Sequence, residues 1–151
     1  MAFTIRRAVP ADAPTIVEFN RLMAQESEGK TLDANILGRG VANALADPNK
    51  ALYYLALQQD EIVGQLSLTF EWSDWRNGWL WWIQSVYVKP EWRRSGVFRS
   101  LYEYVYQAAQ ADPDVIGLRL YVEKENLGAQ QTYLSVGMDW ANYLILERYP
   151  L

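Results

Sequence analysis

The stretch Val86-Tyr87-Val88-Lys89-Pro90-Glu91-Trp92-Arg93-Arg94-Ser95-Gly96-Val97-Phe98-Arg99 holds the most legible chemistry in this chain. An apolar run stops at a proline, a short basic turn with one glycine follows, and an amphipathic segment begins at once. A helix opening on such a turn presents amides that have no intrahelical partner, together with the positive end of its dipole. Phosphates and diphosphates bind to that combination, so a phosphorylated cofactor is expected. Gly96 lets the main chain approach such a ligand with no Cβ in the way. Arg93 and Arg94 add positive charge. In isolation the same pattern also fits an ordinary basic loop ahead of a helix.

The elements that must position this turn follow from periodicity. Phe3 to Arg6 reads as a strand that turns at Pro10, with Asp12 as the cap of a helix through Ile16, Phe19 and Met23. A second helix is expected over Asp33 to Ala46, with Ile36, Leu37, Val41, Ala44 and Leu45 on one face. Ala51 to Gln58, Ile62 to Trp72 and Trp79 to Val88 read as three successive antiparallel strands. The middle one alternates, with Gln65, Ser67, Thr69 and Glu71 on its polar side. Asn77-Gly78 marks the hairpin between the second and third of them. A helix over Val97 to Ala111 presents Phe98, Leu101, Tyr102, Val105 and Ala109 as a stripe. It leads by a right-handed parallel crossover to a strand at Val115 to Val122. Asn126 caps a further helix ending before Gly137, and Asn142 to Glu147 reads as a last strand. The order β-α-α-β-β-β-α-β-α-β implies an α/β fold: a mixed sheet, mostly antiparallel, with helices on both faces.

Composition narrows the chemistry further. At 151 residues, half of them apolar, the chain is expected to form a single domain with a real core. It has no Cys and no His, which excludes disulfides, thiolate nucleophiles, Cys/His metal sites and a Ser-His-Asp triad. Acid–base work falls to Asp, Glu, Tyr, Lys, water or the substrate. A formal charge of −4 with no basic run argues against sequence-independent nucleic-acid binding. With no charged-then-apolar leader and no membrane-length stretch, a cytoplasmic protein is the expectation. Seven Trp and ten Tyr leave room for an aromatic pocket or a homodimer interface, although most such rings simply fill a core.

Taken together, these blocks resemble the GNAT superfamily of acyl-CoA-dependent N-acetyltransferases. Arg93-Arg94-Ser95-Gly96-Val97-Phe98 is similar to the family's diphosphate motif, Q/R-x-x-G-x-G/A, between its fourth strand and third helix. Asn126, Ala129, Tyr133, Gly137 and Met138 resemble a second family block, N-x-x-A-x-x-x-Y-x-x-x-G-F/M. Phe98 departs from the small residue of the motif. The resemblance covers nearly the whole chain and implies acetyl-CoA as cosubstrate. Its diphosphate would lie on the amides of Arg94, Ser95, Gly96, Phe98 and Arg99, next to Val97. Its pantetheine arm would run along the edge of the fourth strand at Val86 and Val88, one of whose N–H groups would polarise the thioester carbonyl. The side chains of these valines read as core. Tyr133 would protonate the departing thiolate, and Asn126 would cap its helix while holding the pantetheine or a water.

The resemblance also implies attack by a primary amine of a small molecule, with polyamines and amino-acid-like compounds as candidates. Many relatives place a carboxylate base where this chain has Gln84, and an amide is no base. Glu71 is the substitute, acting directly or through water, with Glu123 second; a solvated strand end is an equally good account of Glu71. Trp72 and Trp75 are the hairpin tryptophans expected nearest the acceptor. Two other functional classes stay open: a non-catalytic acyl-CoA-binding or regulatory module, to which Phe98 and Gln84 point, and an interaction protein that uses the tryptophan hairpin.

Overall fold

The computed structural model describes residues 2–151. The chain divides into two compact units, one extending to Tyr121 and the other Val122–Leu151.

In the first unit the elements run β1 (Thr4–Arg7), α1 (Ala13–Glu28), α2 (Ala34–Ala46), β2 (Leu52–Gln58), β3 (Glu61–Ser73), β4 (Gly78–Val88), α3 (Val97–Ala111) and β5 (Val115–Arg119). One sheet holds the strands in the order β1-β2-β3-β4-β5. The first four pair antiparallel, and β5 returns parallel to β4 through α3. The expected mixed α/β architecture is present.

Side-chain contacts place helices on both faces. Gln65 of β3 meets Asn20 of α1, whereas a Cβ on its neighbour Gly64 would meet Val97 of α3. Successive strand residues point to opposite faces, so α1 covers one side and α3 the other. Ile16, Val41, Tyr53, Leu55 and Ala8 form the core beneath α1 and α2. Leu101 and Val105 of α3 are also fully buried, each contributing about 1.5–3 kcal/mol of hydrophobic stabilisation.

Several local features go beyond the expectations. Along the polar side of β3, Gln65 and Ser67 are buried at 0% and 2% exposure, Gln65 against Asn20 of α1, whereas Glu71 is exposed at the strand's far end. Ile36 is 64% exposed, although it reads as apolar-face. It lies about 100° around the helix from Leu37 and so falls outside the stripe of Leu37, Val41 and Ala44. Gly38 and Gly40 do not interrupt α2, which Asp33 caps by accepting from the amides of Asn35 and Ile36 at 2.9 and 3.0 Å.

The second unit contains α4 (Leu127–Ser135), capped by Asn126, whose Oδ1 accepts from the Ala129 amide at 3.2 Å. The strand expected over Asn142 to Glu147 does not form. Leu144 and Leu146 are 94% and 95% exposed there. An apolar run gains neither ladder bonds nor burial without a neighbouring strand, whatever its β propensity.

One charged contact ties β1 to the start of α1. Arg6 grips Asp12 with two hydrogen bonds of 2.8 and 2.9 Å, and the Val9 amide donates to the same carboxylate at 2.8 Å. The Arg6 hydrogen bonds hold the Asp12 carboxyl below its ordinary 3.8. Asp12→Asn should therefore lower stability by about 1.5–3 kcal/mol near neutrality, measured by urea unfolding. A carboxylate depressed in the folded state stabilises above its unfolded pKa and loses that effect as pH falls through the folded value. The gap between wild type and variant should stay constant above about pH 4 and close only at lower pH.

Candidate active site

β4 has an open edge. Its pairing with β5 runs from Trp79↔Val115 to Trp82↔Arg119, yet the strand continues to Val88. From Ile83 to Val88 no strand lies on its β5 side among the described residues. The Lys89 amide donates to Val63 O at 2.9 Å. Strand alternation then turns the Val88 N–H away from β3, and the Val86 N–H with it. Their side chains are half-buried rather than core.

The same stretch of β4 contains a bulge. Register slips between Gln65↔Tyr87 and Ser67↔Gln84, which leaves β4 one residue longer than β3 here. Ser85 takes φ 51°, a left-handed conformation that costs a residue with a Cβ about 1–2 kcal/mol. Side chains of β3 hold this geometry. Ser67 Oγ donates to Gln84 O at 3.2 Å, and Gln65 Nε2 donates to Ser85 O at 3.0 Å. Gln65 Nε2 also donates to Asn20 Oδ1 at 2.8 Å, and Asn20 Nδ2 reaches the Tyr53 hydroxyl at 3.5 Å. Gln65 Oε1 is buried with no partner among the described residues, at a cost of about 1–3 kcal/mol.

Beyond Val88 the chain makes a single helical turn, Pro90–Trp92, and then the basic loop into α3. Arg94 has φ 63° and Gly96 φ 92°. Alternation between left- and right-handed residues turns successive amides toward one side. Among the described residues the amides of Arg94, Ser95, Gly96, Val97 and Arg99 donate no hydrogen bond within the protein; the Ser100 amide is the one that returns to Gly96 O. A Cβ on Gly96 would meet no atom within 4 Å, so the ring of Phe98, which packs on Tyr102, leaves that approach open.

Arg93 shapes this loop. Its Nε donates to Val88 O at 2.9 Å, its Nη2 pairs with Glu26 of α1 at 2.7 Å, and its guanidinium lies 5.4 Å from the Tyr87 ring centre. Arg94 and Arg99 are exposed and form no ion pair among the described residues. Ser95 Oγ donates to Trp92 O.

Glu71 lies on the α1 side of the sheet, toward the other end of β4. Its Oε1 accepts from Trp82 Nε1 at 2.9 Å and from Arg119 at 3.2 Å, and Tyr121 lies 5.9 Å ring to ring from Trp82. Trp82, rather than Trp72 or Trp75, is the tryptophan that touches Glu71. Trp72 is its sequence neighbour and so points to the opposite face, where it packs edge-on against Trp79, and Trp75 is 88% exposed in the turn. From Trp82 to Val86 is four residues of β4, at most roughly 13 Å because the bulge lies between them. Gln84 is engaged with Thr69 Oγ1 at 3.2 Å.

The remaining expected residues belong to the second unit. Asn126 is the helix cap described above. Tyr133 is half-buried on α4, and burial raises its phenol above the ordinary 10.0. Glu123 is exposed, and its carboxylate accepts from the Glu125 amide at 2.9 Å inside a local turn. Gln65, Asn20, Ser85 and Glu26 have no functional part in the sequence reading. Alternation alone marks Gln65 as a polar strand residue, and no local signal foretells a bulge.

Comparison with known proteins agrees with this geometry. A model of the acetyltransferase (GNAT) family matches residues 16–138. The chain is 28% identical to an aminoglycoside N(6')-acetyltransferase type 1 from Stenotrophomonas maltophilia, over 98% of this chain and 94% of that protein. It superposes on the crystal structure of a possible acetyltransferase from Clostridium difficile 630 with a TM-score of 0.93 and 43% identity, covering 100% of this chain and 99% of that one. A predicted acetyltransferase from Clostridium acetobutylicum, solved with acetyl-CoA, matches with a TM-score of 0.76 and 21% identity over 97% and 96% of the two chains.

The start of α3 rests on Gly64, where an added Cβ would lie 2.8 Å from Val97 Cγ1 and 3.0 Å from Tyr87 O. Gly64→Ala must push α3 or β4 aside. We expect a loss of about 1–3 kcal/mol in urea unfolding, with altered amide shifts at residues 94–99 in the folded variant.

Proposed function

The chain belongs to the acetyltransferase (GNAT) family, and from that membership we propose that it acetylates a primary amine of a small, multiply cationic molecule by direct attack. As a family member it is an acetyl-CoA-dependent N-acetyltransferase, and the cosubstrate supplies an activated acetyl thioester. The observation behind the site assignment is the parting of β4 from β5 beside an amide-lined turn that is open in front of Gly96. The family match runs across both units, which supports reading them as one catalytic domain.

On this reading the amides of Arg94, Ser95, Gly96, Val97 and Arg99 take the diphosphate, helped by the exposed charges of Arg94 and Arg99. The amide of Phe98 opens the helix beside them. Arg93 acts mainly by fixing the loop, since its guanidinium is already bound to Glu26 and Val88. The free edge of β4 at Val88 lies along the pantetheine arm. The Val86 N–H faces the carbonyl oxygen that gains charge as the amine attacks. The chain has no Cys to accept an acetyl group covalently, which agrees with direct transfer. Tyr133 donates a proton to the departing sulfur; a phenol made harder to ionise by burial stays protonated and available as an acid.

We take the role of Glu71 from its position. Trp82, which holds its carboxylate, stands four residues along β4 from Val86, at most roughly 13 Å, and on this reading the carboxylate does not itself take the proton of the reacting amine. It serves instead as an anchor for a second ammonium group, with the Trp82 and Tyr121 rings beside it. Two cationic centres about that far apart describe a polyamine or an amino-sugar compound, and the aminoglycoside acetyltransferase relative supports the latter. The proton of the reacting amine leaves through water, or the amine arrives neutral.

Isothermal titration with acetyl-CoA, combined with a free-thiol assay over polyamines, aminoglycosides and monoamines, tests the proposal. Turnover should be at least tenfold better with polycations than with monoamines. Binding without turnover on every amine would instead favour a binding module. Tyr133→Phe should lower kcat by about 100-fold or more with the Kd for CoA unchanged. Because the Tyr133 phenol titrates above 10.0, wild-type kcat/KM should rise from about pH 6 to pH 9 with the acceptor amine and show no loss of the acid over that range.

A further inference from the structure

A peptide unit is planar and trans, so its C=O and N–H point in opposite directions. Ser85 O and Val86 N–H belong to the same peptide unit. Gln65 Nε2 holds that carbonyl at 3.0 Å from inside the protein, on the side covered by α1. Holding the carbonyl inward turns the Val86 N–H outward. The Gln65 side chain is itself oriented, because its Nε2 also donates to Asn20 Oδ1 at 2.8 Å. Both residues are buried, at 0% and 6% exposure, in a core that offers Gln65 Oε1 no partner among the described residues.

Resting on the reading of Val86 above, we infer that Gln65, held by Asn20, is a positioning residue for acetyl transfer. It aims the Val86 amide at the thioester oxygen by gripping the other end of the same peptide. Two facts give Gln65 its part. Ser85 has φ 51°, a conformation disfavoured for an L-residue. The ladder between β3 and β4 slips at this point, so regular strand pairing does not hold this peptide either. A side-chain amide supplies the hydrogen bond that the ladder omits. Gln65 touches no reacting atom, and the diphosphate amides at residues 94–99 lie on the loop and helix beyond it. Its loss should therefore change catalysis and leave cosubstrate affinity alone.

Gln65→Met keeps length and removes the donor. We expect kcat to fall by about 10- to 100-fold, part of the loss seen when an oxyanion donor is deleted outright. The Kd for CoA should stay within threefold. The decisive readout is rescue. Ser85→Gly in the Gln65→Met background lets the bulge residue keep its left-handed conformation without help, so kcat should recover by at least fivefold, which a purely structural defect in the core would not. The second readout is the Val86 amide in 15N–1H spectra on adding a ketone analogue of acetyl-CoA, in which a methylene separates sulfur from the carbonyl. The amide should shift in wild type, fail to shift in Gln65→Met, and shift again in the double variant. Asn20→Ala gives a second route if Gln65→Met does not fold, and should lower kcat by several-fold at unchanged Kd. A Val86 amide that shifts equally in wild type and Gln65→Met would overturn the role of Gln65 alone. A Val86 amide that ignores the analogue in wild type would overturn the oxyanion reading and this inference with it. Unchanged kcat in folded Gln65→Met, or in folded Asn20→Ala, would also overturn it.

Discussion

β4 runs beside β5 for four residues and then parts from it, and the site depends on how the protein sustains that parting. A strand that loses a neighbour leaves N–H and C=O groups exposed along that edge, which is costly unless solvent, a side chain or a ligand takes them up. Here Arg93 takes Val88 O, while the N–H groups of Val86 and Val88 stay turned to the open side. On the inner side, Gln65 takes up the carbonyl of Ser85, which falls in the slip of the ladder, and Ser67 Oγ donates to Gln84 O beside it. The gap is thus a braced opening, with polar side chains committed on one edge so that the other can face a ligand.

The basic turn is braced in the same way. Arg93 links the end of β4 to Glu26 at the end of α1, and Val97 sits on Gly64 with no room for a methyl group between them. These contacts place the start of α3 next to the end of the open strand. On the proposed reading, amide donors for a diphosphate and an edge for the arm that follows it therefore sit in sequence. The left-handed residues Arg94 and Gly96 turn the amides of that loop outward, and the glycine keeps the approach clear.

Charge is distributed to match. Arg6, Arg93 and Arg119 are ion-paired and hold protein groups in place, while Arg94 and Arg99 remain exposed in and after the turn. At the other end of β4 the Glu71 carboxylate is held by Trp82 and Arg119. On the proposed reading, a basic turn and a carboxylate beside aromatic rings suit a polyanionic cosubstrate and a cationic acceptor in turn.

Much of this was legible in the order of residues. Periodicity located the four α-helices and the first five strands, because amphipathic spacing reports directly which residues must be buried. The glycine and arginines of the turn pointed to an anion site, the basis of the proposed cosubstrate reading, since local backbone freedom and charge are properties of a few adjacent residues. The last strand was misread because Asn142 to Glu147 has the propensity but no neighbouring strand, and pairing is a property of two segments. The slip at Ser85, the burial of Gln65 beneath Asn20, and the choice of Trp82 over Trp72 as the partner of Glu71 lay beyond any local reading. Each depends on which residues from distant parts of the chain come to lie opposite one another. That registration is settled only when sheet and helices pack, because a shift of one residue would send every side chain to the other face.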